Sequence, residues 1–220
     1  MRIPGLGGWS SDPLWASVYD WTVEHPRIGG ALWAAGIQSD LGKLYATAAE
    51  VGTLPPGSRV LDVPCGGGVA LRGLQPGQGV EYVAADIAQT MLGRAMGAAR
   101  ERGVADQVVP RIADVSELPF EDASFDLVLS FTGLHCFPDP ARAIMEMMRV
   151  LKPGGVISGS AILNDTGLQH EPMRRVGRLV GLLGPGCDGI EIVQWLHGQG
   201  VARPLLNRSG AMGYFRGVKG

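Results

Sequence analysis

The chain has 220 residues, a length for one domain with modest elaborations. Lys and Arg number 19 against 21 Asp and Glu, a formal net charge of -2 that gives no broad basic field and excludes a general nucleic-acid or anionic-membrane binder. Only 18% of residues are charged and 45% are hydrophobic, which leaves apolar surface for a lined pocket or an oligomer contact such as a homodimer's.

Residues 1–12 are rich in Gly, Pro and Ser and read as an arm. They hold no apolar run before Trp9, unlike a secretory signal, and no apolar run of ~18 residues predicts a membrane span. From Pro13 to about Val51 the spacing of Leu14, Val18 and Trp21, and of Ile37, Leu41 and Leu44, predicts helices, with breaks at Pro26 and Gly29-Gly30.

Short apolar runs then alternate with helical segments. Strands are predicted at Val60–Val63, Tyr82–Ala85, Val108–Ile112, Asp126–Phe131 and Val156–Leu163, the third short or at an edge because of Pro110. Helices are predicted at Gln89–Arg102 and Pro140–Leu151, the second opened by Pro140 and stopped by Pro153-Gly154-Gly155. This alternation predicts an α/β fold: a Rossmann-like, doubly wound, mostly parallel sheet.

Beyond Leu163, Met173, Val176, Leu179, Val180 and Leu183 predict an amphipathic helix with Arg174, Arg175 and Arg178 on its solvated side. Ile190–Leu196 predicts another helix. Leu205–Asn207 and Tyr214–Val218 predict strands joined across Ser209-Gly210, so that a C-terminal antiparallel strand closes the sheet. The division expected is an N-terminal helical lid over 1–52 and a core over 53–220, with 164–187 inserted over the acceptor site.

The chemistry concentrates at strand ends. Val60-Leu61-Asp62-Val63-Pro64-Cys65-Gly66-Gly67-Gly68 is a buried strand running into a glycine turn and a helix, where an open α/β sheet binds nucleotide-like ligands. Asp86 follows the second strand, where a carboxylate accepts from vicinal ribose hydroxyls; it also suits the N-cap of the next helix. Asp114 follows the third, where a carboxylate accepts from an adenine amino group, or serves a turn. Three acids at three successive strand ends each match one part of an adenosine ligand.

The blocks LDVPCGGG (61–68), YVAADIAQTML (82–92), ADVSELPFEDASFDLVLSFTGLHCFPDP (113–140) and RVLKPGG (149–155) resemble, in order and spacing, the class I S-adenosylmethionine-dependent methyltransferases. The likeness is to the small-molecule subgroup of ubiquinone/menaquinone C-methyltransferase-like proteins. It runs from about Tyr19 to the C-terminus. The resemblance implies S-adenosyl-L-methionine as cofactor and S-adenosyl-L-homocysteine as product. It places Asp62 at the ligand's amino-acid end, with Gly66 and Gly68 under the methionine and ribose. Asp86 would hold the ribose hydroxyls, Ile87 and Met91 flank the adenine, and Asp114 and Val115 meet its edge. Ser130 and Phe131 would lie by the methionine chain. Pro64 stands where the family's first glycine usually stands; it stiffens the turn and removes an N–H.

His135, just past the fourth strand, is a candidate base for a hydroxyl or amine acceptor, or a packing residue. Tyr19 resembles the Tyr of a Tyr-Asp pair in the family's lid, where it approaches cofactor or substrate. The reaction implied is methyl transfer to an O, N or C nucleophile of a small, largely apolar acceptor. Cys65, Cys136 and Cys187 lack metal-ligand spacing, so no metal is expected and a reducing cytoplasm fits. The alternative is a non-catalytic S-adenosylmethionine-binding regulator or scaffold. A nicotinamide-dependent oxidoreductase would need the dinucleotide glycine fingerprint, which does not stand here.

Overall fold

A computed structural model describes residues 26–220; Tyr19, Trp9, Trp15, Trp21 and the arm lie outside the described residues. Helix α1 (Pro26–Ile37) and α2 (Leu41–Ala48) are followed by β1 (Arg59–Asp62), β2 (Glu81–Asp86), α3 (Gln89–Glu101), β3 (Val108–Ile112) and β4 (Phe125–Phe131). Then come α4 (Pro140–Val150), β5 (Leu151–Ile162), α5 (Glu171–Leu179), α6 (Gly189–Gly198), β6 (Leu205–Ser209) and β7 (Met212–Val218).

Among the described residues the strands form one seven-stranded sheet in the order β3-β2-β1-β4-β5-β7-β6. Strands β1 to β5 pair in parallel and β7 pairs antiparallel with both β5 and β6. The expected mostly parallel α/β sheet with its antiparallel closure is what the chain forms. Pro110 lies in β3 at the sheet edge, where a missing N–H costs no second ladder. From β1 the chain winds outward to β3 and returns to β4 on the other side, so the topological switch lies between β1 and β4.

Side-chain alternation along these strands builds two cores. Val60, Tyr82, Ala84, Leu127 and Leu129 pack with Trp33, Leu41, Leu44, Leu92 and Ala95 of α1, α2 and α3. Leu61, Val83, Val128 and Ile157 pack on the other face with Ile144, Met147, Met148, Ile192 and Leu196 of α4 and α6.

Four expectations are corrected. Gly29-Gly30 lie inside α1 instead of breaking it, and Pro26 stands at its first turn, where a residue needs no N–H partner. The glycine turn leads into a single 3₁₀ turn, Val69–Gly73, and not a full helix. Strand β5 starts at Leu151, since Gly154 N donates to Lys219 O and Lys219 N to Gly155 O, extending the ladder through the glycines. Helix α5 is turned over: Arg174 is buried, while Val176 and Leu179 are exposed. Arg174 faces inward because its guanidinium donates to Leu163 O, Thr166 Oγ1, Gly167 O and Glu171, groups that an apolar side chain would leave unpaired.

Candidate active site

The glycine turn is held between β1 and β2. Val63 N donates to Leu129 O of β4 and Cys65 N to Ala85 O of β2, which fixes the turn over the switch point. Gly66 (φ +50°) and Gly68 (φ +91°) take left-handed backbone conformations. A Cβ on Gly66 would meet nothing within 4 Å, so its backbone faces open space. A Cβ on Gly68 would come 2.8 Å from Leu71 Cδ1 and 3.2 Å from Ala95 Cα, so that glycine lets the turn lie against α3.

Asp86, buried at the end of β2, accepts from Gly66 N at 3.1 Å with Oδ2 and from Ala88 N at 2.9 Å with Oδ1. It ties the turns after β1 and β2 together. It is not the helix N-cap: that residue is Ala88, without a side-chain cap. Ala88 and Met91 form a small apolar pair apart from both cores, beside the exposed Ile87.

Asp62, at the end of β1, is buried and accepts from the Tyr82 hydroxyl at 2.7 Å. Burial lifts its carboxyl to about pKa 7, against the Tyr82 bond and with the help of the Asp86 charge. Asp114 is exposed; its Oδ1 accepts from Ser116 N at 2.8 Å and Ser116 Oγ at 2.7 Å, which hold its pKa below the ordinary value. Val115 beside it is buried. Ser130 and Phe131, at the end of β4, are buried, and Ser130 Oγ has no hydrogen-bond partner among the described residues.

Pro64 follows a cis peptide bond and lies against Gly133. His135 is buried and its Nδ1 accepts from Ile162 N at 3.0 Å, tying the β4 loop to the end of β5. Burial lowers its pKa to about 4. With Nδ1 occupied as an acceptor, the neutral ring carries its proton on Nε2 and presents a donor. That geometry does not suit the titrating base expected here.

The residues expected at three strand ends are therefore gathered around one turn for Asp62, Gly66 and Asp86, while Asp114 stands at the exposed edge strand. Two residues were missed, Tyr82 and Gly133. A buried tyrosine needs a partner for its hydroxyl, and that requirement was the available signal for Tyr82.

Residues 61–158 match the protein family described as Methyltransferase domain. The 27-O-demethylrifamycin SV methyltransferase of Amycolatopsis mediterranei (strain S699) is 37% identical over 134 residues, covering 58% of this chain and 49% of that protein. The ubiquinone/menaquinone biosynthesis C-methyltransferase UbiE of Shewanella sp. (strain ANA-3) is 37% identical over 129 residues, covering 58% of this chain and 50% of its own length. The chain thus spans about half the length of the curated relatives it matches. A solved structure of Haemonchus contortus phosphoethanolamine N-methyltransferase 2, in complex with phosphomonomethylethanolamine and S-adenosylhomocysteine, shares the fold with a TM-score of 0.73 at 17% identity, covering 93% of this chain and 56% of that one. Over residues 61–158, which carry the glycine turn and the strands around it, the chain is therefore similar to methyltransferase domains.

Proposed function

We propose that the protein transfers a methyl group from S-adenosylmethionine to an O, N or C nucleophile of a small, largely apolar acceptor. The observation that carries this reading is the Asp86–Gly66 bond, which places a buried carboxylate and an open glycine backbone together at the switch point. The residues fit the cofactor: the unpartnered Ser130 hydroxyl, the Asp62 carboxylate and the Gly66 backbone supply polar groups, and Ile87 with Met91 supplies an apolar surface for a purine.

When bound, the cofactor supplies an electrophilic sulfonium methyl group. What this chain contributes is positioning and exclusion of water. Asp86 would hold the ribose, Asp62 the amino-acid end, and Asp114 with Val115 the adenine edge. His135 would donate a hydrogen bond through Nε2 and orient an acceptor, without removing a proton. Residues 164–187 would cover the acceptor. Cys65, Cys136 and Cys187 form no disulfide among the described residues, which suits a reducing cytoplasm. Among the described residues no helix is long and apolar enough to cross a membrane.

The test is calorimetric titration with S-adenosylhomocysteine, followed by mass spectrometry of methylated products from a panel of apolar phenols, amines and enols. Saturable binding with product formation is expected. Binding without any methylated product would favour the regulator reading, and no binding would remove both.

A further inference from the structure

We propose that Tyr82 is a positioning residue for the amino-acid end of the cofactor, acting through the hydrogen bond from its hydroxyl to Asp62. The inference rests on the reading above, in which Asp62 faces that end of the ligand. In the β1–β2 register Tyr82 pairs with Val60 and Asp62 with Ala84, so Tyr82 and Asp62 are diagonal neighbours on one sheet face. Tyr82 is 0% exposed and Asp62 1%. The ring fills the core beneath β1 while the hydroxyl reaches Asp62 Oδ2 at 2.7 Å.

A carboxylate has room for about four hydrogen bonds. Among the described residues the Asp62 side chain receives one, and Oδ1 receives none. Such a buried group is incomplete without a further donor or cation, and the ammonium of an amino-acid ligand is both. The Tyr82 bond fixes which oxygen remains for it and favours the ionised carboxyl. The other groups acting on the pair are Asp86, whose charge opposes ionisation of Asp62, and Cys65, whose charge opposes ionisation of Tyr82.

The sign of the pH dependence follows. A ligand ammonium binds the ionised carboxylate, so affinity rises as pH climbs through the Asp62 pKa near 7 and then levels off. Tyr82→Phe keeps the ring and removes the donor. The midpoint then moves up, and each unit of movement weakens binding about tenfold below both midpoints. Replacing Tyr82 by 3-fluorotyrosine strengthens the donor and moves the midpoint down. Asp62→Asn removes the titration.

The experiment is calorimetric titration of the full chain with S-adenosylhomocysteine across neutral pH, with melting curves confirming the fold of each variant. Opposite movements of the midpoint in the Phe and fluorotyrosine proteins, and its loss in Asp62→Asn, are expected. If Tyr82→Phe binds more weakly at every pH with an unmoved midpoint, Tyr82 only packs and the proposal falls. If Tyr82→Phe does not fold, the fluorotyrosine protein decides, and an unmoved midpoint there overturns the proposal. Failure of the unmodified chain to bind S-adenosylhomocysteine at any pH instead overturns the cofactor reading itself, and this inference with it.

Discussion

Pro64 occupies the space that a side chain on Gly133 would need. A Cβ built on Gly133 would collide with Pro64 Cδ, and would also come 2.8 Å from Ser130 Oγ and 2.9 Å from Phe137 Cζ. Pro64 in the turn after β1 is thus accommodated by a glycine in the loop after β4. Pro64 and Gly133 close the floor between the two loops at the switch point.

Gly133→Ala is expected to destabilise the protein by about 1–3 kcal/mol, as overpacking of a filled site does. Pro64→Gly should recover part of that loss, so the double variant is more stable than the sum of the two single effects. Urea denaturation of the four proteins measures this coupling. Strict additivity would show that the two residues do not compete for one space.

Asp86 serves the protein before it serves any ligand. It satisfies Gly66 N and Ala88 N, so Asp86→Ala leaves two backbone donors unpaired and releases both turns. The expected loss of S-adenosylhomocysteine affinity is about 10- to 100-fold, or roughly 1–3 kcal/mol. Asp86→Asn keeps one acceptor oxygen and should lose less. Unchanged affinity in Asp86→Ala, measured calorimetrically, would remove Asp86 from the site.

The central strands were legible because each is a short apolar run, buried on both faces, with no polar alternation to confuse it; β3, largely exposed at the edge, was legible from Val108-Val109 and its place in the β/α alternation. Asp86 was legible as a strand-end acid, although its bonds to Gly66 N and Ala88 N required the fold. The orientation of α5 was not, because Arg174 is turned inward by carbonyls of a loop whose path no local pattern encodes. The Tyr82–Asp62 bond depends on the β1–β2 register, and the His135–Ile162 bond on the packing of the β4 loop against β5; both are tertiary facts. The 3₁₀ turn Val69–Gly73 ends where Gly73 meets Ala48: a Cβ on Gly73 would strike the carbonyl oxygen of Ala48 in α2, so a longer helix has no room there.

The last prediction concerns stability against pH, where two buried groups work in opposite directions. His135 has a folded pKa of about 4 against an ordinary 6.5. Between those values the unfolded chain holds a proton that the folded protein does not, so stability rises with pH. This contribution is fully present above 6.5 and lost as pH falls toward 4. Asp62 has a folded pKa of about 7 against an ordinary 3.8. Between those values the folded protein holds the extra proton, so stability falls as pH rises. Each slope is about 1.4 kcal/mol per pH unit, and over the shared window they cancel to first order. The unmodified protein should therefore show little dependence from this pair between about pH 5 and 6.5, above the range where exposed carboxylates titrate. His135→Gln, whose amide oxygen can still accept from Ile162 N, should unmask the Asp62 slope, so that this variant loses stability as pH rises. Asp62→Asn should unmask the opposite slope and gain stability as pH rises. Urea denaturation at several pH values in that window measures both. Parallel stability curves for the three proteins would show that neither group carries the shifted ionisation that its burial implies.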